Sequence, residues 1–195
     1  MNNNRIESYI KRVLALFISK DLSTFSTELV RRNYNLGMNA VDSQLKLSFN
    51  PVQNTKTIDF LRQYTFENIK GMKDDIAIKL RQEMVQAFQN REGNADIKKR
   101  VRKVMGVART RANAIARTES TRAFNAGGKE TADQSGLNLV KKVYNPNPKS
   151  DICKALVKRK PIDMDDKWSY NGEEYALPPF HVNCRSKAMY EQVKS

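Results

Sequence analysis

Residues 110–144, TRANAIARTESTRAFNAGGKETADQSGLNLVKKVY, decide the fold, because the chain changes character within them. Thr110 is a suitable N-cap, since a threonine hydroxyl can accept from the free N–H groups that open a helix. Ala112, Ile115, Ala116 and Ala123 give the helix a face of small side chains. Such a face lets a neighbouring helix or strand come close. Gly136 then stands just past the end, where a left-handed residue is usual. Leu139 to Tyr144 is rich in β-branched and aromatic residues and reads as a strand. A helix that hands over to a strand here sets the expectation of an α+β fold, with a long mainly helical N-terminal part and a small sheet-bearing C-terminal end.

Towards the N-terminus the apolar residues keep helical spacing. Ile6, Tyr9, Ile10, Val13, Leu14 and Phe17 make one stripe, and Leu22, Phe25, Leu29, Leu36 and Ala40 a weaker second. Asn50-Pro51 ends that region, because the residue before a proline is pushed out of the helical basin. Ile58, Leu61, Tyr64 and Ile69 predict a third helix stopped near Gly71. Ile76, Leu80, Met84 and Phe88 predict a fourth, opened by Lys73-Asp74-Asp75, whose acids suit the positive end of the helix dipole. After a turn at Glu92-Gly93-Asn94, the residues Ile97, Val101 and Val104 predict a short basic helix that Gly106 breaks.

Towards the C-terminus the elements shorten. Asn145-Pro146-Asn147-Pro148 is a rigid turn, and Asp151 to Val157 a short helix. Trp168 to Tyr175 reads as a hairpin around Asn171-Gly172. Pro178-Pro179 makes an extended stretch, and Lys187 to Tyr190 a last strand that pairs with the first. The expected division is a helical extension over residues 1–55 and a domain over 56–195, helical to 136 and a compact knuckle from 137.

With 35 Lys and Arg against 21 Asp and Glu, the 195-residue chain carries a formal charge of +14. Such an excess attracts polyanions, of which nucleic acid is the common case. It concentrates between Lys98 and Arg122, where Glu119 is the only acid among nine basic residues. Lys98, Lys99, Arg100, Arg102, Lys103, Arg109 and Arg111 are therefore the candidate DNA-binding residues. No helix-turn-helix, zinc-finger spacing or aromatic platform accompanies them, so contact with the backbone of double-stranded DNA, indifferent to sequence, is expected. Arg117 and Glu119, two apart on a helix, point to different sides and read as structural ion-pair or capping residues. No apolar run approaches the ~18 residues of a membrane span. The run Val13 to Ile18 follows Arg5 and Glu7 and precedes no small-residue cleavage site, so neither a signal peptide nor a membrane partner is expected.

Asp151, Cys153, His181 and Cys184 form a second constellation, D-x-C followed by H-x-x-C. They include the only cysteines and the only histidine of the chain. Zinc takes thiolate, imidazole and carboxylate ligands in a four-coordinate shell, and small sheet-bearing ends are often tied by such a site. A Cys153–Cys184 disulfide and a pair of ordinary buried thiols beside a core histidine are the alternatives. Catalysis is not expected. One histidine leaves little room for a triad, no phosphate-binding glycine loop is present, and Asp163, Asp165 and Asp166 sit in what reads as a solvated turn. A metal-dependent nuclease remains an alternative, as does a free sequence-nonspecific DNA-binding module.

Arg111-Ala112-Asn113-Ala114-Ile115-Ala116-Arg117-Thr118-Glu119, followed by Ala123, Asn125 and Gly127, resembles the RA-x-x-IARTE…A-x-N-x-G helix of the phage Mu F-like head morphogenesis family. Asp151-x-Cys153 and Leu177-Pro178-Pro179-Phe180-His181-Val182-Asn183-Cys184-Arg185 resemble its closing D-x-C…PP-x-H-x-NCRC pattern. The likeness runs over about residues 60–190. It implies a minor capsid protein that acts in procapsid assembly near the portal protein, beside the packaged genome. Scaffold or major capsid protein are further partners it would allow. The expected location is the virion, in the capsid interior or at the portal vertex, and the host cytoplasm during assembly. One departure stands out: the family's C-R-C is Cys184-Arg185-Ser186 here, so a thiolate is missing and Asp151 or water must complete any zinc shell.

Overall fold

The computed structural model describes residues 8, 10–12, 15 and 22–193, and of Phe88 the backbone alone. Of the first predicted stripe, Ile6, Tyr9, Val13, Leu14 and Phe17 lie outside the described residues. Ile10 is buried among Ile69, Met72 and Ile76.

Three helices make the N-terminal part: α1 (Leu22–Leu45), α2 (Thr55–Gln89) and α3 (Asn94–Gln134). Helices α2 and α3 run antiparallel, as the pairs Glu83–Arg100 and Asp75–Arg111 require. The expected breaks at Gly71 and Gly106 do not occur, and Thr110 caps nothing. Its hydroxyl donates to the Gly106 carbonyl at 3.2 Å, inside a continuous α3. The reason is one of magnitude. An interior glycine costs a helix ~0.5–1 kcal/mol. Burying one large aliphatic side chain contributes ~1.5–3 kcal/mol, and Ile69, Met72, Ile76, Leu80, Met84 and Val104 close one core between these helices.

The small-residue face of α3 brings α1 to backbone contact. Val30, Tyr34, Gly37, Met38 and Val41 form the buried face of α1. A Cβ on Gly37 would overlap the Phe124 carbonyl, and one on Gly127 the Tyr34 carbonyl. Gly128 sits beside Val41, where a Cβ would stand 3.1 Å from its Cγ2. No side chain fits at Gly37 or Gly127 unless the helices part.

The C-terminal part is α+β as expected. Strand β1 (Leu139–Tyr144) lies between β2 (Ile162–Asp163) and β5 (Lys187–Gln192), antiparallel to both. The predicted pairing of first and last strands is present, in the register Leu139↔Gln192 to Tyr144↔Lys187. Strand β2 carries too few residues to show a period. A separate hairpin, β3 (Trp168–Tyr170) and β4 (Glu173–Tyr175), turns at Asn171 and Gly172, both with positive φ. That is the conformation a two-residue Asn-Gly turn takes. Helix α4 (Asp151–Val157) is capped by Ser150, whose hydroxyl accepts from Cys153 N at 3.3 Å.

These elements enclose a core of Leu139, Val143, Leu156, Trp168, Phe180 and Tyr190 with both cysteines. Lys141 is buried on the same face of β1. Its Nζ donates to the carbonyls of Met164 (2.7 Å) and Ala176 (3.2 Å) and lies 5.1 Å from the Trp168 ring centre. Burial lowers its pKa from the ordinary lysine value. The ammonium thus ties the segments before and after the hairpin to the central strand. Val41 joins this core and Gln44 donates to the Tyr190 carbonyl at 2.6 Å, so the sheet rests on α1 as well as α3.

Candidate functional site

Thr118, Thr121 and Asn125 recur at i, i+3 and i+7, so one face of α3 carries a polar row. That row grips the main chain of residues 183–188. Thr118 Oγ1 accepts from Asn183 N at 2.9 Å, and Thr121 Oγ1 donates to the Cys184 carbonyl at 2.9 Å. Asn125 donates to the Ser186 carbonyl at 3.3 Å and accepts from Ala188 N at 2.7 Å. Just before Thr118 in the chain, Arg117 Nη1 donates to Asn183 Oδ1 at 3.1 Å. Asn183 itself is left-handed, with φ 65°. Glu119 faces the other way, only 4% exposed, and accepts from Arg122 (3.1 Å) and Asn68 (3.3 Å). Burial raises its pKa, while Arg122 and Asn68 draw it back. Arg117 thus holds the C-terminal loop and Glu119 ties α3 to α2.

The loop so held carries His181 and Cys184 against Cys153 of α4. Cys153 Sγ stands 3.8 Å from Cys184 Sγ and 3.1 Å from His181 Nε2. Two thiolates on tetrahedral zinc stand about 3.8 Å apart, given bonds of ~2.3 Å. A disulfide would need ~2.05 Å, and both cysteines are free. His181 Nδ1 lies 2.7 Å from the Val182 carbonyl. A carbonyl can only accept, so Nδ1 carries the proton and Nε2 presents its lone pair to the cysteines. A backbone partner of this kind is how proteins fix the tautomer of a metal-binding histidine. Among the described residues these three are close enough to hold a metal ion, their ligand atoms lying within 4.8 Å of one another.

Asp151 is not the fourth member. Two residues apart on a helix, Asp151 and Cys153 point to different sides. The carboxylate is exposed and pairs with Lys154 at 3.4 Å. The buried hydroxyl of Ser186 stands there instead, donating to Cys153 Sγ at 3.2 Å. Ser150 Oγ is 2.9 Å from His181 Nε2. Burial pushes the Cys153 thiol up, against the hydrogen bonds from Ser150 and Ser186. Such a thiol is a poor nucleophile, since the thiolate is the reactive form. In the sequence Ser186 is visible as the residue in place of a family cysteine, but with no part in the cluster.

The basic block divides in two. At about 100° per residue, Lys98, Arg102 and Arg109 fall within roughly 40° of one another, Lys99 and Lys103 fall on the flank, and Arg100 and Arg111 lie on roughly the opposite side. Those two are taken by α2 and the turn that follows it. Arg100 contacts Glu83 at 2.5 Å and Glu92 at 2.6 Å, and Arg111 contacts Asp75 at 2.5 Å. Lys99 is exposed and pairs with Asp96 at 3.3 Å. Lys98, Arg102, Lys103 and Arg109 are exposed.

A family model described as Phage Mu protein F like protein matches residues 78–189. The chain belongs to this family. It is a Mu F-like head morphogenesis protein, and the matched region holds the polar row of α3, the Cys–His cluster and the whole free basic arc. No curated protein and no solved structure matches the chain. The Mu F-like helix motif thereby acquires a physical reason: its Arg, Thr and Asn positions hold the segment that carries the closing motif.

Asn125→Ala leaves a buried N–H and C=O without partners, which costs on the order of 2–4 kcal/mol. Urea unfolding should show that loss, and limited proteolysis should cut the region after residue 183 earlier than in the parent chain. A change within the scatter of surface substitutions would remove Asn125 from the account.

Proposed function

We propose that this protein is a minor capsid protein of the phage virion, that it acts in head morphogenesis beside the portal protein, and that α3 meets the backbone of packaged double-stranded DNA. The observation that carries the DNA contact is the exposed row of Lys98, Arg102 and Arg109, with exposed Lys103 on its flank. The acids opposite are already engaged with Arg100 and Arg111 on the other side of the helix. A one-sided row of cations with no base-reading element suits phosphates along a groove edge rather than any particular sequence. A head protein beside the portal meets such a polyanion at high density. The helical bundle is the surface offered to portal protein, and to scaffold or major capsid protein during procapsid assembly.

In this reading the protein works by binding and not by catalysis. Asp163, Asp165 and Asp166 are exposed and stand outside the cluster that could hold a metal. Cysteines 153 and 184 with His181 take zinc as a structural ion, which ties α4 to the loop that α3 grips. The tautomer of His181 and the sulfur spacing support that choice. The fourth place falls to a serine hydroxyl or to water.

Two measurements test the reading. Binding to a random-sequence duplex should weaken steeply with salt, by about 0.9 in log–log slope per phosphate neutralised. Changing Lys98, Arg102, Lys103 and Arg109 together to Gln should lower that slope by about 3–4 without moving the melting temperature. An unchanged slope would remove α3 from the DNA contact. Metal analysis should find about one zinc per chain, lost in His181→Ala, and a chelator should lower the melting temperature. Well under one zinc, with no chelator effect, would refute the metal assignment.

A further inference from the structure

Beside the Cys–His cluster opens a cavity of about 380 Å³. That lies within the ~300–1,000 Å³ range of small-ligand sites. Arg117, Lys149 and Arg185 line it, together with Ser150, Cys153 and His181, and no carboxylate does. Lys149 and Arg185 are exposed and have no hydrogen bond or ion pair among the described residues. Arg117 has only a neutral partner, Asn183, which also lines the cavity. Three cations around one concavity repel each other, and the repulsion is relieved when an anion enters. Nothing in the docking of the loop on α3 requires Lys149 or Arg185.

We propose that this cavity binds a phosphate dianion, supplied as inorganic phosphate or as the phosphorylated end of a nucleic-acid strand. A phosphate dianion offers close to two charges and three strong acceptor oxygens. Two guanidinium forks and an ammonium can meet all of these. A phosphodiester within a duplex carries one charge and would have to bring a sugar on either side into the concavity. A terminal phosphate enters alone. The inference stands apart from the α3 cations, and although the cavity borders the metal cluster through Cys153 and His181, the two residues it is tested on, Lys149 and Arg185, belong to neither.

The test uses the full chain and one short single-stranded oligonucleotide, made with a 5′-phosphate and with a 5′-hydroxyl. Fluorescence anisotropy should show the phosphorylated form binding about tenfold tighter, and millimolar inorganic phosphate should erase the difference. Lys149→Gln with Arg185→Gln should abolish it, with circular dichroism and melting unchanged. Replacing Lys98, Arg102, Lys103 and Arg109 should weaken both oligonucleotides alike and leave the preference intact. If inorganic phosphate binds the parent chain and not the double variant, yet the two oligonucleotides bind equally, the cavity takes the free ion. Equal binding of both oligonucleotides, with no inorganic phosphate bound, would overturn the proposal. So would a preference that survives Lys149→Gln and Arg185→Gln.

Discussion

A buried amide, that of Asn125, is the central tie between the two parts of this molecule. Its nitrogen and oxygen are engaged by the main chain at Ser186 and Ala188, on the strand side of the loop that carries His181 and Cys184. An amide in such a place has no substitute of equal shape, because it must donate at one end and accept at the other. Thr118 and Thr121 extend the grip towards Asn183 and Cys184. The chemistry of the C-terminal cluster therefore depends on a helix some sixty positions earlier in the chain. The same helix is held from behind by α1, at a crossing where glycines at 37 and 127 let carbonyls take the place of side chains.

Much of this architecture was legible in the amino-acid sequence. The change of texture at Gly136, the Asn171-Gly172 hairpin and the pairing of the first and last strands are local signals with local causes, and they hold in the structure. The glycines misled. Gly71 and Gly106 read as breaks because a propensity scale weighs one position, whereas the packing of Ile69, Met72, Val104 and Ala108 weighs the whole helix. Thr110 read as a cap for the same reason. Lys141 had no signal at all: a lysine in an alternating strand reads as outward-facing, and only the carbonyls of Met164 and Ala176, remote in sequence, make its burial tolerable.

The candidate site was legible in part. Composition alone singled out two cysteines and one histidine, and the structure brings their ligand atoms together. Asp151 was drawn in by its spacing to Cys153, which suits a turn and fails on a helix. The basic block was visible as a block, but composition does not show direction. Arg100 and Arg111 are set apart from their neighbours by helical phase, and their carboxylate partners lie on α2 and the following turn. Ser150 and Lys149 had no signal beyond adjacency to a motif, Arg185 and Ser186 were visible only as motif positions, and the grouping of all four around the cluster is a property of the fold.

In functional terms α3 is one continuous element with two duties. Its first half presents free cations to solvent, and its second half carries the knuckle. Continuity through Gly106 is what fixes the two at a set separation. The most direct test of that account is co-expression with the portal protein of the same phage, followed by size-exclusion chromatography with mass determination. The account predicts a stable complex of defined stoichiometry. A chain that elutes alone, with the portal ring intact beside it, would contradict the portal-associated role.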